Sequence, residues 1–175
     1  MLEADNAKRY LPVSKTCFVC GEENPFGLKL RFRVDGNRIW TSFDPVPAYC
    51  GFPNVLHGGV AAALLDETMG WAANRSLSRM TLTGELRVRY VRPVPGDRVL
   101  HVWAEVSKGH RRIAYTHGAI TSEDGAETYA RAEARFIPLS LEETVRIDEH
   151  LVYRGNEERV FDRARAEMAD GLDNV

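Results

Sequence analysis

The apolar residues of this 175-residue chain are concentrated in one central run, with alternating segments on both sides of it. Residues 56–73 form the longest strongly apolar stretch, which is dominated by Ala and Leu and contains no proline. Such a composition predicts a helix that begins at or just after Gly58-Gly59. Because apolar residues occupy nearly every angular position of this helix, we expect most of its circumference to be buried.

Alternation of apolar and polar positions predicts strands before and after the helix. Residues 28–43 alternate around Asp35-Gly36 and are expected to form a hairpin. Four further segments carry a strand pattern: residues 81–92, 98–107, 112–122 and 127–138. Short glycine-containing turns separate them, so we expect an antiparallel meander. One buried helix beside five or six strands is best covered if the sheet curls around it.

The two ends of the chain differ from this central part. Residues 1–15 show no clear period and predict a loosely held arm, whereas residues 45–54 contain three prolines and predict a loop. Residues 139–175 are rich in charge and have helical propensity, which indicates a tail helix packed on the outside of the domain. We therefore expect a single α+β domain over residues 1–138, with an N-terminal arm over residues 1–27, and a helical C-terminal extension over residues 139–175.

Composition narrows the classes of function. A hydrophobic fraction of 44% and a net charge of −2 are typical of an ordinary globular domain and give no reason to expect a nucleic-acid partner. No apolar segment reaches the roughly 18 residues of a membrane helix, and no basic and then apolar leader follows Met1. We therefore expect a cytoplasmic protein without a membrane partner. The three cysteines are an odd number and do not suggest a disulfide framework.

Cys17 and Cys20 form a C-x-x-C pair in a stretch that is rich in turn-forming residues. A zinc site needs four ligands. Cys50 and one of the histidines are available to complete it, but no second pair has the spacing of a zinc knuckle. The sequence favours a tight turn with two small buried thiols, and no metal or other cofactor is expected.

Candidate chemistry lies at the start and in the middle of the predicted helix. At His57-Gly58-Gly59 the unpaired N–H groups and the positive end of the helix dipole are suited to an oxyanion, although tight helix packing also explains two glycines. Asp66 is either a paired buried acid or a general base or nucleophile acting on a carbonyl held by the Gly58 N–H. Eight helical residues separate Gly58 from Asp66 by about 12 Å. Both can serve one reacting group only if they come from different subunits of a two-fold dimer.

Glu67 is the second acid in the helix. It lies about 100° around the helix from Asp66, so the two carboxylates do not share a role. We expect Glu67 to be a salt-bridge or hydrogen-bonding partner of an arginine from Arg87, Arg89 and Arg92.

The motif Leu56-His57-Gly58-Gly59, followed by Leu64-Leu65-Asp66-Glu67 and Gly70, resembles the hotdog-fold acyl-CoA thioesterases of the phenylacetate-degradation (PaaI-like) type. The similarity extends to Cys17-x-x-Cys20-Gly21 with Asn24-Pro25-x-Gly27-Leu28, and to residues 83–96. In order and spacing these motifs span residues 17–138. The resemblance implies a hotdog fold, in which a curved five- to six-stranded antiparallel sheet wraps around one central helix.

The resemblance also implies hydrolysis of an acyl-CoA in a homodimer or homotetramer with sites at the subunit interface. By the family pattern Asp66 is the base or nucleophile, Gly58 supplies the oxyanion N–H, and Thr83 positions water. His57 and Gly59 are then residues that orient or bind the thioester. Some family members carry Asn or Gln six or seven positions before the His, where this chain has Gly51 and Cys50; the nearby Asn54 is out of register.

Basic residues at one predicted turn complete the candidate site. Arg111 and Arg112, beside Lys108 and His110, are suited to the nucleotide phosphates of coenzyme A, although a solvated basic turn has the same composition. Two other functions stay open at this point, a hotdog hydratase or dehydratase and a non-catalytic module that binds or senses acyl-CoA. The identity of the acyl chain cannot be read from the sequence.

Overall fold

A long central helix, α1, occupies the position that the apolar run predicts. The computed structural model describes residues 9–110 and 112–172, and the side chains of these residues except His110 and Leu172. Helix α1 spans Gly58–Leu77, with His57 as its N-cap and Ser78 in the left-handed conformation as its C-cap. Leu64, Leu65 and Met69 of this helix are fully buried.

The remaining elements are short strands before α1, long strands after it, and two terminal helices. A single turn of 3-10 helix, Pro47–Tyr49, precedes β5. The strands are β1 (Arg9–Tyr10), β2 (Val13–Ser14), β3 (Arg33–Asp35), β4 (Arg38–Phe43), β5 (Cys50–Phe52), β6 (Val55–Leu56), β7 (Thr81–Tyr90), β8 (Leu100–His110), β9 (Ile113–Ser122), β10 (Thr128–Pro138) and β11 (Leu151–Val152). The helices after β10 are α2 (Leu141–Asp148) and α3 (Asp162–Leu172).

Seven strands form one antiparallel sheet in the order β1-β3-β4-β8-β9-β10-β7. Strands β4, β7, β8, β9 and β10 all contact α1, so the sheet curls around the helix. The expected α+β fold with one central helix is confirmed. The sheet has one strand more than expected because the two-residue β1 extends its edge.

The position of β7 differs from a simple meander. Strands β8, β9 and β10 follow one another in the sheet, but β7 pairs with β10 and not with β8. Its connection to β8 contains Pro93 and Pro95, which lack N–H donors and disfavour a tight hairpin turn. The buried Val94 between them accepts a hydrogen bond from the Leu56 N–H at 2.9 Å, which holds this connection across the start of α1. Strand β7 therefore lies at an edge of the sheet.

The first hairpin is shorter than its sequence pattern suggests. Its turn is confirmed, with Gly36 at φ +57, but β3 begins only at Arg33. Leu28 and Leu30 are buried and donate their N–H groups to the carbonyls of Phe18 and Val19, at 2.8 and 2.9 Å. Their alternation reflects burial under the segment that contains Cys17 and Cys20.

Two segments expected to be irregular are ordered. Residues 45–54 were predicted to be a loop but contain the 3-10 turn and β5, which pairs with β6. In the described part of the N-terminal arm, Leu11 and Val13 are fully buried and β2 pairs with β11, so this part is not loosely held. The prediction for residues 1–8 lies outside the described residues.

The charged tail is helical, and it also contributes to the core. Val160 and Phe161 are buried, and the Phe161 ring lies 6.4 Å from the ring of Trp71 in α1. Two ion pairs hold the tail to this part of the chain: Arg75 of α1 pairs with Glu158 at 2.8 Å, and Arg79, two residues after α1, pairs with Glu167 at 2.8 Å. Within the described part of the chain, no helix is both long enough and apolar enough to cross a membrane.

Candidate active site

The start of α1 presents backbone N–H groups that have no acceptor among the described residues, those of Gly58 and Val60. His57 Nδ1 accepts a hydrogen bond from the Gly59 N–H at 2.9 Å, and the His57 carbonyl accepts from the Ala61 N–H at 3.0 Å. Among the described residues, the Gly58 N–H has no partner. The His57 imidazole thus accepts from the Gly59 N–H, and the Gly58 N–H remains available to a ligand at the positive end of the helix dipole.

Tyr90 fixes the position of this helix start, a contact that sequence patterns did not reveal. Its hydroxyl donates to the Gly58 carbonyl at 2.5 Å. Burial raises the pKa of Tyr90, so the hydroxyl stays protonated and able to donate. A Cβ on Gly58 would lie 3.4 Å from the Tyr90 Oη, which is an ordinary contact.

Asp66 lies in the middle of α1, half-buried and directed toward β7. The Thr83 hydroxyl donates to Asp66 Oδ1 at 2.8 Å. Burial raises the pKa of Asp66 above its ordinary value, and the hydrogen bond from Thr83 acts in the opposite direction. The structure therefore brings together two residues that the family pattern assigns to the site, and the carboxylate is less well solvated than a surface acid.

Gly58 and Asp66, both in α1, contact well-separated residues of the same strand, β7. Tyr90 contacts the first and Thr83 contacts the second, and these two residues are seven positions apart on β7. Seven strand residues extend over about 23 Å. Both this span and the rise of about 12 Å along the helix between Gly58 and Asp66 are too long for one reacting group to contact both residues of the same chain.

Among the described residues no arginine pairs with Glu67, so the expected arginine partner is wrong, although Glu67 does accept a hydrogen bond, from the Cys17 thiol. Its carboxylate points to the N-terminal segment on the other side of α1, where Oε1 lies 3.6 Å from Cys17 Sγ. The three arginines lie on β7 or just after it; Arg87 is paired with Glu85 and Arg92 with Glu127. The 100° step between adjacent helical residues directs Asp66 to β7 and turns Glu67 away from it.

The groups around Glu67 perturb one another strongly. Burial, followed by the nearby Cys17, raises the pKa of Glu67 to about 7. A hydrogen bond from the Cys20 thiol, together with backbone N–H donors, lowers the pKa of Cys17 to about 5. The pKa of Cys20 is raised, chiefly by the same contact with Cys17 and by burial.

The other predicted binding residues do not converge on Asp66 within one chain. Asn54 is exposed at the turn of the β5–β6 hairpin, in the left-handed conformation with φ +59. Arg112 is exposed at the β8–β9 turn, and the neighbouring Gly109 lies against Ser76 near the C-terminal end of α1. That end is ten helical residues, or about 15 Å, from Asp66. Arg111 lies outside the described residues.

Comparisons with known proteins show which proteins this chain resembles. The thioesterase superfamily profile matches residues 53–129, which include all of α1 and β7. The acyl-coenzyme A thioesterase THEM4 of Xenopus laevis is 34% identical over 102 residues, covering 58% of this chain and 46% of that protein. The chain spans about half the length of the curated relatives it matches.

Solved structures give the same result for the fold. The thioesterase superfamily protein RHA08564 superposes with a TM-score of 0.65 at 28% identity, covering 71% of this chain and 61% of that one. The BH2602 protein of Bacillus halodurans, crystallised with CoA, has a TM-score of 0.52 at 30% identity, covering 57% of this chain and 70% of that one. Residues 53–129 therefore match the thioesterase superfamily, and the chain has the hotdog fold of the solved thioesterase structures.

Proposed function

We propose that this protein hydrolyses an acyl-CoA thioester to the free acid and CoA, with Asp66 as the general base or nucleophile. The observation that carries the proposal is the hydrogen bond of 2.8 Å between Thr83 and a half-buried Asp66. A carboxylate held in one orientation and partly removed from water is suited to activating water or to attacking a carbonyl carbon directly.

The Gly58 N–H is the proposed donor to the thioester oxygen. Negative charge develops on that oxygen as the tetrahedral intermediate forms, and a fixed N–H at a helix N-terminus stabilises it. The hydrogen bonds at His57 and Tyr90 support this role, because they hold the surrounding backbone while leaving the Gly58 N–H available.

A homodimer would bring the two groups together. Strand β7 is a ten-residue edge strand, and most of its residues are exposed. If it pairs antiparallel with the β7 of a second copy about a point between Leu86 and Arg87, Thr83 of one subunit lies opposite Tyr90 of the other. The partner's Gly58 then approaches Asp66, which is the condition that a shared site requires. A homotetramer of two such dimers would keep these sites.

The proposed substrate rests on the relatives. THEM4 of Xenopus laevis is named as an acyl-coenzyme A thioesterase, and the BH2602 crystals contained CoA. In this chain Arg112 and Lys108 are exposed at the β8–β9 turn, and together with Arg111 they are the proposed partners of the CoA phosphates. Asn54, Gly59 and His57 remain the proposed contacts around the thioester, and the proposed location is the cytoplasm.

The test is thiol release from short, medium, long and aryl acyl-CoAs by the wild type and Asp66→Asn. We expect the substitution to lower kcat by about 10²–10⁴-fold, the usual contribution of a positioned base. Asp35→Asn is the matched control, since Asp35 is exposed and Asn-Gly forms an equally good hairpin turn. Comparable activity in the two variants would contradict the assignment of Asp66.

The same assay separates the other functions. A wild-type protein that binds acyl-CoA and leaves it intact is a binding module, and one that hydrates an enoyl-CoA without releasing thiol is a hydratase. Either result replaces hydrolysis as the function of this site.

A further inference from the structure

The N-terminal segment folds its backbone around the sulfur of Cys17. The N–H groups of Val19 and Cys20 point at Cys17 Sγ, at 3.3 and 3.5 Å, and the Gly21 N–H donates to the Cys17 carbonyl at 2.9 Å. N–H donors directed at sulfur favour the thiolate, which is the form of cysteine that binds metals.

Gly21 is required by this turn. A Cβ at that position would lie 2.4 Å from both the backbone nitrogen and the carbonyl oxygen of Cys17, and neither atom can move away cheaply. The chain therefore closes so tightly after Cys20 that only glycine fits. The result is a compact loop that directs two sulfur atoms to the same side.

Glu67 of α1 completes a cluster of three donor atoms. The sulfurs of Cys17 and Cys20 and a carboxylate oxygen of Glu67 all lie within 4.8 Å of one another. Cys20 is 1% exposed, and Cys17 and Glu67 are half-buried, so the cluster lies between the N-terminal segment and the helix. Each of these side chains becomes an anion when it loses its proton.

Within residues 9–110 and 112–172, the Glu67 carboxylate takes part in none of the ion pairs. Burying acidic groups together without a counter-charge is costly. A bound divalent cation would remove that cost and use all three donors.

We propose that Cys17, Cys20 and Glu67 are the protein ligands of a mononuclear Zn²⁺ site, with water in the fourth position. Two thiolates and one carboxylate suit a borderline-soft cation that prefers four ligands. With Zn–S near 2.3 Å and Zn–O near 2.1 Å, tetrahedral donors lie about 3.6 Å apart. The separation of 3.6 Å between Cys17 Sγ and Glu67 Oε1 meets this condition. Binding releases the remaining protons of these groups to solvent.

This site differs from the zinc site that the sequence suggested, in which Cys50 and a histidine join Cys17 and Cys20. That arrangement needed Cys50 and a histidine, but Cys50 lies on β5, where its sulfur is 3.8 Å from the carbonyls of Val46 and Gly96. The carboxylate ligand could not be recognised in the sequence because Glu67 is 47 positions after Cys20, in a different element. By joining the N-terminal loop to α1, the metal would fix the arm to the helix that carries Asp66.

The test measures metal directly and does not depend on thioester hydrolysis. The full chain is purified under reducing conditions, its zinc content is determined by mass spectrometry, and the chelator-treated protein is titrated with Co²⁺. We expect about one Zn²⁺ per chain, and a thiolate-to-cobalt charge-transfer band that saturates at about one equivalent of Co²⁺. A reduced wild-type protein that shows neither overturns the proposal without any variant being needed.

Variants then identify the ligands. Cys17→Ser and Cys20→Ser should lose the charge-transfer band, and Cys50→Ser, the matched control, should bind as the wild type does. Glu67→Gln should keep a thiolate band but bind Co²⁺ at least about tenfold more weakly, since loss of even an outer-shell partner costs 10- to 100-fold. Unchanged binding in Glu67→Gln, or equal loss in Cys50→Ser, overturns the three-ligand site.

Discussion

The Gly58 N–H can be removed without changing any functional side chain. Proline is favoured at the first position of a helix, because its missing N–H would be unpaired there and its φ angle is already helical. The preceding residue, His57, has φ −60 and ψ 133, which is the extended conformation that a residue before proline adopts. Gly58→Pro should therefore fold normally and lack the proposed oxyanion donor.

Gly58→Ala is the matched variant, since it adds a Cβ and keeps the N–H. In both variants that Cβ meets the Tyr90 Oη at an ordinary distance of 3.4 Å, so the ratio of their activities isolates the N–H. Removing one oxyanion donor typically lowers kcat by about 10²–10³-fold, or about 2.7–4 kcal/mol of transition-state stabilisation. Proline also restricts the unfolded chain, an effect of about 0.4–1 kcal/mol in favour of folding.

The assay is kcat for thiol release by the two variants, with urea unfolding to compare their stabilities. We expect Gly58→Pro to be about 10²–10³-fold slower than Gly58→Ala at a similar free energy of unfolding. If both are folded and their kcat values agree within about threefold, a difference of less than 1 kcal/mol, the Gly58 N–H does not stabilise the transition state.

Mixing subunits extends this test to the proposed dimer. A hybrid of a Gly58→Pro subunit and an Asp66→Asn subunit contains one site with both wild-type groups and one site with neither. If the subunits exchange at random, half the dimers are hybrids, and the mixture should recover about one quarter of wild-type activity. Recovery no greater than the sum of the two parents would show that Gly58 and Asp66 act within one chain or not at all.

Two further predictions concern the support of Asp66 and the tail. Thr83→Val should lower kcat about tenfold, which corresponds to about 1.4 kcal/mol. This is the lower end of the range for a hydrogen bond to a charged group, because Thr83 is exposed. Thr81→Val, two residues earlier on β7, should leave kcat unchanged, and equal losses of kcat in both variants would refute a specific role of Thr83. Phe161→Ala should lower the free energy of unfolding by about 3–5 kcal/mol, because this ring is fully buried. Phe26→Ala, at a ring that is 80% exposed, should change it by less than about 0.5 kcal/mol, and urea unfolding of both variants distinguishes these values.

Local patterns identified most of the fold. The helix, the first turn and the four long strands after the helix follow from periodicity and from Gly and Pro positions, because these features act within a few residues. The pairing of β7 with β10 did not follow from them. It depends on where Val94 is buried beside the start of α1, which is a contact between distant parts of the chain.

The same distinction applies to the candidate site. Asp66, Gly58 and Thr83 were predicted as site residues from a family motif, and two of them, Asp66 and Thr83, are joined by a hydrogen bond. Tyr90 and the true neighbours of Glu67 were missed, because each contact joins α1 to a segment far away in sequence. An unpaired acid in an apolar helix shows that a partner is needed, but helical periodicity does not identify that partner.

Strand β7 is both an exposed edge of the sheet and the strand that contacts the proposed site. It carries both contacts to the site, Thr83 at one end and Tyr90 at the other, and it lies at the edge of the sheet. Leu82 on this strand is 61% exposed, and a long open edge with apolar side chains invites pairing with other chains. Pairing with the β7 of a second copy would cover that edge and, because the strands run in opposite directions, would also bring the partner's Gly58 to Asp66. The interaction that protects the edge would thus be the same one that completes the site, so a variant that disrupts β7 pairing should lose activity together with its dimeric state.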